Sequence, residues 1–275
     1  MMRRYTGRTL AFEILMVVVA LVFLFPLVML VNIAFKPSSQ ALRDPLSLPT
    51  SFDVDNFRTA WQQGDLGAAV MNSATVAGIS VVVLIVLGST AAYFFARRLS
   101  RVSNILYFVV LLGLMIPIQL GMVPLYQLMN SAGLLSTYTS LILFYAGTQL
   151  PFTVFLYAAF LRATPREYEE AAALDGAGWW RSFWLIVFPL VRPVTITVLL
   201  LDLIDVWKDF MTPLLYVGGS EQQTLPVAVY AFQGEYTSQW GIIFAGVIVS
   251  ILPVMVLYVV LQRFIIGGFA GGLKG

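Results

Sequence analysis

The chain has 275 residues, of which 59% are hydrophobic and only 11% charged, with a mean hydropathy of +0.86. A soluble domain carries roughly 25% charged residues, so lipid is the expected solvent. Cysteine and histidine are both absent, which excludes disulfides, thiolate nucleophiles, imidazole bases and the usual zinc or haem ligands, and neither a metal site nor a cofactor on this chain is expected. The formal net charge of +2 is too small to point to nucleic acid, and the placement of the cations carries more information than their sum.

A helix that crosses a bilayer needs about 20 mainly apolar residues. Six stretches meet that requirement, at residues 13–35, 69–95, 105–128, 138–161, 183–204 and 241–264. The expected fold class is therefore an all-α membrane protein of six transmembrane helices, forming a single domain over residues 1–275. The first stretch follows Arg3, Arg4 and Arg8 as a signal peptide would, but its apolar run is too long and lacks a small-residue cleavage site, so it reads as a retained helix. The segment after it opens with Lys36–Pro37, passes Pro45 and Pro49, and ends in the polar and aromatic run from Phe52 to Trp61; it reads as an ordered but irregular loop. Pro117 and Pro124 in the third span and Pro151 in the fourth predict kinks, serving either packing alone or gating.

Lys and Arg in short loops favour the cytoplasm. Arg3, Arg4 and Arg8, then Arg97, Arg98 and Arg101, then Arg162, Arg166 and Arg181, and finally Arg263 and Lys274 all fall on one side of the six spans. Both termini are thus expected in the cytoplasm. Six spans with no second half suggest half a pore, completed by a like or similar subunit across a two-fold or pseudo-two-fold axis.

Between the fourth and fifth spans, residues 162–182, the chain turns polar. Thr164 suits an N-cap, Pro165 the first helical position, and Glu167 the fourth residue of a capping box. Alanines 171–173 propagate a short helix that Gly176 can end in a left-handed conformation. Small side chains rimmed by Glu167, Glu169, Glu170 and Asp175 form either a docking knob for another protein or an ordinary capped connector. Trp179, Trp180 and Trp184 beside it suit the interfacial aromatic belt.

The run Glu170-Ala171-Ala172, three residues, Gly176, nine residues, Ile186, one residue, Phe188-Pro189 resembles the EAA loop of ATP-binding-cassette importer permeases, with Phe188 where leucine is usual. Asn56-Phe57, Asn72-Ser73, Ala92-Tyr93 followed by Arg97, the region of Pro117, Pro124-Leu125-Tyr126, Gly133-Leu134, Trp207-Lys208-Asp209-Phe210 and the ending from Gln262 to Gly275 resemble the carbohydrate branch, that of the smaller maltose permease. The likeness runs from about residue 50 onward. It implies the type I importer permease fold in a bacterial inner membrane, with a companion permease, two cytoplasmic ATP-binding subunits, an extracytoplasmic solute-binding protein and a sugar as substrate. Glu170, Ala171, Ala172, Asp175 and Gly176 would then couple to the ATPases. The Gly-rich tail resembles a segment that contacts them. The chain itself lacks an ATP site: Gly267 to Gly272 is followed by Leu273 where a phosphate loop needs Lys.

Asp202, Asp205 and Asp209 sit three and four residues apart near the end of the fifth span, on one helical face, with Lys208 in reach of Asp205. Ionisable groups at this depth face a bundle interior or an aqueous cavity. Beside Trp207 they would suit a polyol; equally they would suit an internal ion-pair network. Residues 218–240 read as a long polar loop, either solvated or in contact with a binding protein. Two further readings compete: an ion-gradient-driven transporter using Asp202 and Asp205 as carriers, and an intramembrane enzyme, for which no recognisable catalytic motif is present.

Overall fold

The structure is a computed structural model that describes residues 7–235 and 239–272. Arg3, Arg4, Tyr236 and Lys274, with the last residues of the Gly-rich tail and the side chains of Gln233, Glu235 and Arg263, lie outside the described residues. The described residues are helical throughout their regular elements, and they divide into two compact units, Met1–Gly67 with Ala228–Leu252 and Ala68–Val227 with Pro253–Gly275.

The first unit begins with α1 (Gly7–Ala34), whose apolar central window is wholly exposed, as expected of a helix solvated by lipid or by other subunits. The segment expected to be irregular contains two helices, α2 (Ser38–Arg43) and α3 (Asp55–Gln63). Three side-chain nitrogens organise it. Asn32 Nδ2 donates to the carbonyls of Pro45 and Ser47 at 3.4 and 2.9 Å, and Lys36 Nζ to those of Asp44 and Pro45 at 3.0 and 2.8 Å. Asn56 Nδ2 donates to the carbonyls of Ala34 and Lys36 at 2.9 and 2.8 Å. Lys36 is completely buried, so these carbonyls replace water around its ammonium group. The ring of Phe35 packs on those of Phe52 and Phe57. The cradle also fixes why residue 241 is glycine: a Cβ there would lie 2.5 Å from Asn56 Nδ2 and 2.9 Å from the Lys36 carbonyl oxygen.

The second unit is built on α4 (Leu66–Arg97) and α7 (Tyr138–Ala163), both long and apolar enough to cross a membrane. They approach closely where Gly88 faces Thr153, since a Cβ at Gly88 would collide with the Thr153 side chain. The third apolar stretch is two helices, α5 (Arg101–Leu112) and α6 (Ile118–Ser131), separated at Gly113–Pro117. Tight backbone turns from Gly113 to Met115 end α5, and Pro117 caps α6 without an amide hydrogen to continue the ladder. After the short α8 (Glu167–Leu174), the fifth stretch divides as well. α9 (Trp179–Leu190), which contains a π-helical turn over Phe183–Val187, meets α10 (Arg192–Lys208) at 77°. Pro189 and Pro193 flank the bend, and a π-turn with nearby prolines is an ordinary cause of a sharp kink.

The core of this unit gathers Ala92, Tyr93, Phe95 and Ala96 of α4, Val154, Tyr157, Ala158 and Leu161 of α7, and Phe183, Val187, Val194 and Val198 from the α9–α10 region. Tyr157 Oη bonds to Thr195 Oγ1 at 3.0 Å across it. α11 (Met211–Val217) follows. The stretch expected to be a polar loop holds α12 (Leu225–Glu235), with Leu225, Val227, Ala228, Val229 and Phe232 buried. Its apolar run LPVAVYAF, with Pro226 at the second helical position, favours a packed helix over a solvated loop. α13 (Trp240–Gly272) ends the described chain.

Removing the Asn56 amide leaves two carbonyls unpaired at roughly 1–3 kcal/mol each. Limited proteolysis of residues 36–64 should therefore accelerate markedly in Asn56→Ala and further in Asn56→Asp, which sets a carboxylate against carbonyl oxygens. Unchanged cleavage in both variants would show that the cradle does not hold the segment.

Candidate functional site

α7 stops at Ala163 because Pro165 drives Thr164 out of helical conformation, to φ −82° and ψ 127°. The Thr164 hydroxyl then turns back, donating to the Phe160 carbonyl at 3.0 Å. The expected capping box accordingly does not form: α8 starts after Arg166, with no side-chain cap. Its end follows expectation. Gly176 takes φ +81°, and the amides of Gly176 and Ala177 donate to the Ala173 and Ala172 carbonyls at 3.0 and 2.9 Å.

Ala172 faces inward, whereas Glu170, Ala171, Asp175 and Gly176 are exposed together. Leu174, not singled out from the sequence, is 90% exposed at the tip of α8. An alanine surface with an apolar tip and carboxylates around it is a shape another protein can grip, because small side chains admit close approach.

Glu169 departs from the expected rim. It points inward to Arg97 at the end of α4, with Nε and Nη2 each 2.7 Å from Oε1. The hydroxyl of Tyr93 donates to Oε2 at 2.9 Å. Arg97 also donates from Nη1 and Nη2 to the carbonyls of Leu161 and Thr164 at 2.8 and 3.2 Å, at the end of α7. The pair is largely buried, at 11% and 16% side-chain exposure. The Tyr93 ring in turn packs on Trp179 and Phe183 at 4.9 and 5.0 Å. A cavity of about 820 Å³ flanks α8, lined among others by Arg97, Tyr107, Arg162, Arg166, Glu167 and Glu170.

A second cavity, of about 710 Å³, lies at the end of α10. Lys208 pairs with Asp205 at 2.6 Å, and both are exposed to it. Asp209 lies just past the helix, accepting from Tyr145 Oη at 3.1 Å and from the Thr212 amide at 3.4 Å. Asp202 is separate: it is buried and accepts from Thr153 Oγ1 at 2.9 Å. Trp207 is buried and does not line this cavity. Asp205 and Asp209 therefore share this cavity, whereas Asp202, three residues before Asp205 on α10, is turned into the contact with Thr153 of α7 and does not line it. Tyr145 and Gln149 of α7, one turn apart, line the cavity and were not anticipated; Gln149 Oε1 is buried without a hydrogen-bond partner. Their i, i+4 spacing was the available signal.

An all-helical membrane chain with interrupted spans and a polar helix between the fourth and fifth has the fold of a type I importer permease. It superposes with TM-score 0.80 on a bacterial ABC transporter involved in the import of the acidic polysaccharide alginate, at 21% identity, covering 95% of this chain and 99% of that one. A second structure, of the bacterial alginate ABC transporter with an alginate pentasaccharide-bound periplasmic protein, gives 0.69 at 18% identity and 92% coverage of both. Residues 84–267 match the family described as binding-protein-dependent transport system inner membrane component, and the chain belongs to that family. Among relatives, the melibiose/raffinose/stachyose import permease protein MelC of Bacillus subtilis is 35% identical, covering 82% of this chain and 83% of its own. The diacetylchitobiose uptake system permease protein NgcG of Streptomyces coelicolor is 33% identical over 98% and 89%.

A Cβ placed on Gly176 would meet nothing within 4 Å, so the left-handed backbone is the sole objection to a side chain there. Gly176→Val should therefore cost about 1–2 kcal/mol locally and misdirect α8 while the chain still inserts. The check is proteolysis of residues 166–178 in membranes; protection equal to that of the unaltered chain would contradict this account.

Proposed function

We propose that this chain forms half of the translocation pathway of an ATP-driven importer for a sugar or related polyol, and that α8 receives the motion of a cytoplasmic ATPase. The observation that carries the reading is the exposed surface of Glu170, Ala171, Leu174 and Asp175, on a helix fixed from behind by Glu169 and Arg97. Such a helix is rigidly held yet has a face free for a partner. Carbohydrate specificity is supported by the names of the relatives, two of which are uptake proteins for oligosaccharides.

The complete importer in this reading has a companion permease, two ATP-binding subunits and an extracytoplasmic binding protein. ATP hydrolysis resides on the partners. The arginines around α8, including Arg97, Arg98, Arg162, Arg166 and Arg181, support a cytoplasmic position for it and for both termini in the inner membrane. The Gly-rich tail adds a second contact to the ATPases. The cavity beside α10 supplies the wall of the pathway: Asp205, Lys208, Asp209 and Gln149 offer acceptors and donors to hydroxyl groups. Asp202 and Trp207 support that wall from within.

The test is purification of the tagged chain from membranes, followed by ATPase and uptake assays in liposomes. The companion permease and ATPase should copurify. Glu170→Lys should keep the companion while losing the ATPase or uncoupling hydrolysis from uptake, because reversing a charge at an interface turns attraction into repulsion. Uptake driven by an ion gradient without ATP would sink the reading.

The orientation has its own check. An impermeant thiol reagent applied to intact cells should leave Arg166→Cys unlabelled, in a chain that has no native cysteine. Labelling from outside would reverse the assigned sides.

A further inference from the structure

α4 is held by side-chain hydrogen bonds at both of its ends. Near its start, Asn72 Nδ2 donates to the carbonyls of Glu221 and Gln223, both at 2.9 Å, while its Oδ1 accepts from Tyr138 Oη at 2.6 Å. The neighbouring Ser73 Oγ accepts from the Leu225 amide at 2.8 Å. Asn72 and Ser73 thus grip the segment between α11 and α12. At the far end, Tyr93 and Arg97 grip α8 through Glu169. From Asn72 to Arg97 is about 37 Å at ~1.5 Å per residue, more than the roughly 30 Å of a hydrocarbon core. The two grips therefore lie at opposite membrane faces.

Between them the helix is built to be stiff. Among the described residues, four helices are long and apolar enough to cross the membrane unbroken; α1, α7 and α13 each contain a proline, at Pro26, Pro151 and Pro253, and α4 contains none. An uninterrupted helix transmits a displacement along its axis that a kinked one would absorb at the kink.

We propose that α4 is a transmembrane strut, with Tyr93 and Arg97 positioning α8 and Asn72 and Ser73 positioning residues 221–225, so that movement of α8 is delivered to that segment on the opposite face. This rests on the importer reading, in which α8 moves with the ATPases. Coupling of this kind requires an element with two arrangements that both sites bias; in this proposal those are two positions of α4 moving as a rigid body.

The experiment uses the assembled complex in liposomes, with Glu221→Cys as the sole cysteine; Glu221 is exposed, and its backbone carbonyl rather than its side chain meets Asn72. Labelling by an impermeant maleimide is timed without nucleotide and after trapping with ATP and vanadate. The rate should differ between the two states by about fivefold or more, the lower range of allosteric coupling. Arg97→Gln and Asn72→Ala should each abolish that difference although ATPases still copurify, and Arg97→Lys should restore part of it. Should Arg97→Gln fail to assemble, Tyr93→Phe takes its place, since it removes a single hydrogen bond. A nucleotide-dependent difference that survives in these variants, or that is absent without them, overturns the strut. Failure of ATPases to copurify with the unaltered chain would instead defeat the importer reading, and the strut would fall with it.

Discussion

The ion pair of Arg97 and Glu169 is the constraint on which the placement of α8 depends. α8 is a helix of eight residues, far below the length at which a helix is stable by itself in water, and it buries only one alanine along its length. Packing alone cannot hold it. A guanidinium that bonds two carbonyls of the α7 terminus and one carboxylate of α8 fixes both elements to the end of α4. Hydrogen bonds to charged groups contribute roughly 1.5–3 kcal/mol each, and loss of either partner would leave the other charge in a nearly buried place with only neutral hydrogen-bond partners.

The first unit solves a related problem by the same means. There too a polar segment of chain follows a long apolar helix, and there too side-chain nitrogens bind backbone carbonyls: Asn32, Lys36 and Asn56 in place of Arg97. Lys36 uses carbonyls alone where Arg97 also has a carboxylate. An ammonium group is compact and satisfied by carbonyl oxygens from several directions, whereas a planar guanidinium offers a fork of donors that reaches Glu169 and two carbonyls at once. Backbone polar groups near lipid must be satisfied within the protein, so loops at the ends of apolar helices are places where buried cations and amides are expected.

Much of this is legible in the sequence, for identifiable reasons. Apolar run length locates the helices, and Gly176 is recognisable because a chain reversing after a short helix needs a residue free to take positive φ. Asp205 and Lys208 are placed together by their spacing. The inward turn of Glu169 is not legible, because Glu167, Glu169 and Glu170 are alike until Arg97, 72 residues earlier, selects one of them. Ala92-Tyr93 and Arg97 stand in the sequence as a pattern without a role, and the structure supplies that role. The Thr164 cap fails because its hydroxyl turns back to donate to the Phe160 carbonyl, while α8 starts only after Arg166. Helix α12 is hidden by the polar residues around it, though its own run of apolar side chains is the usable signal.

The interruptions of the spans carry a further physical meaning. Irregular backbone at membrane depth is tolerated where it is buried in protein or lines a water-filled cavity, but not against lipid. Two of the breaks in this chain, the one before α6 and the one between α10 and α11, place their residues on the same cavity: Ile118 and Gln119 from the first, and Asp209 to Thr212 from the second. The third side comes from Tyr145, Thr148 and Gln149 of α7, just before Pro151, whose ring removes one amide donor from that helix. Both breaks and the residues before Pro151 thus border one cavity, whose lining is mainly apolar but carries Asp205, Lys208 and Asp209. In the importer reading proposed above, the groups released from helical hydrogen bonding beside Asp205, Lys208 and Asp209 would be satisfied by water or by the hydroxyl groups of a passing solute.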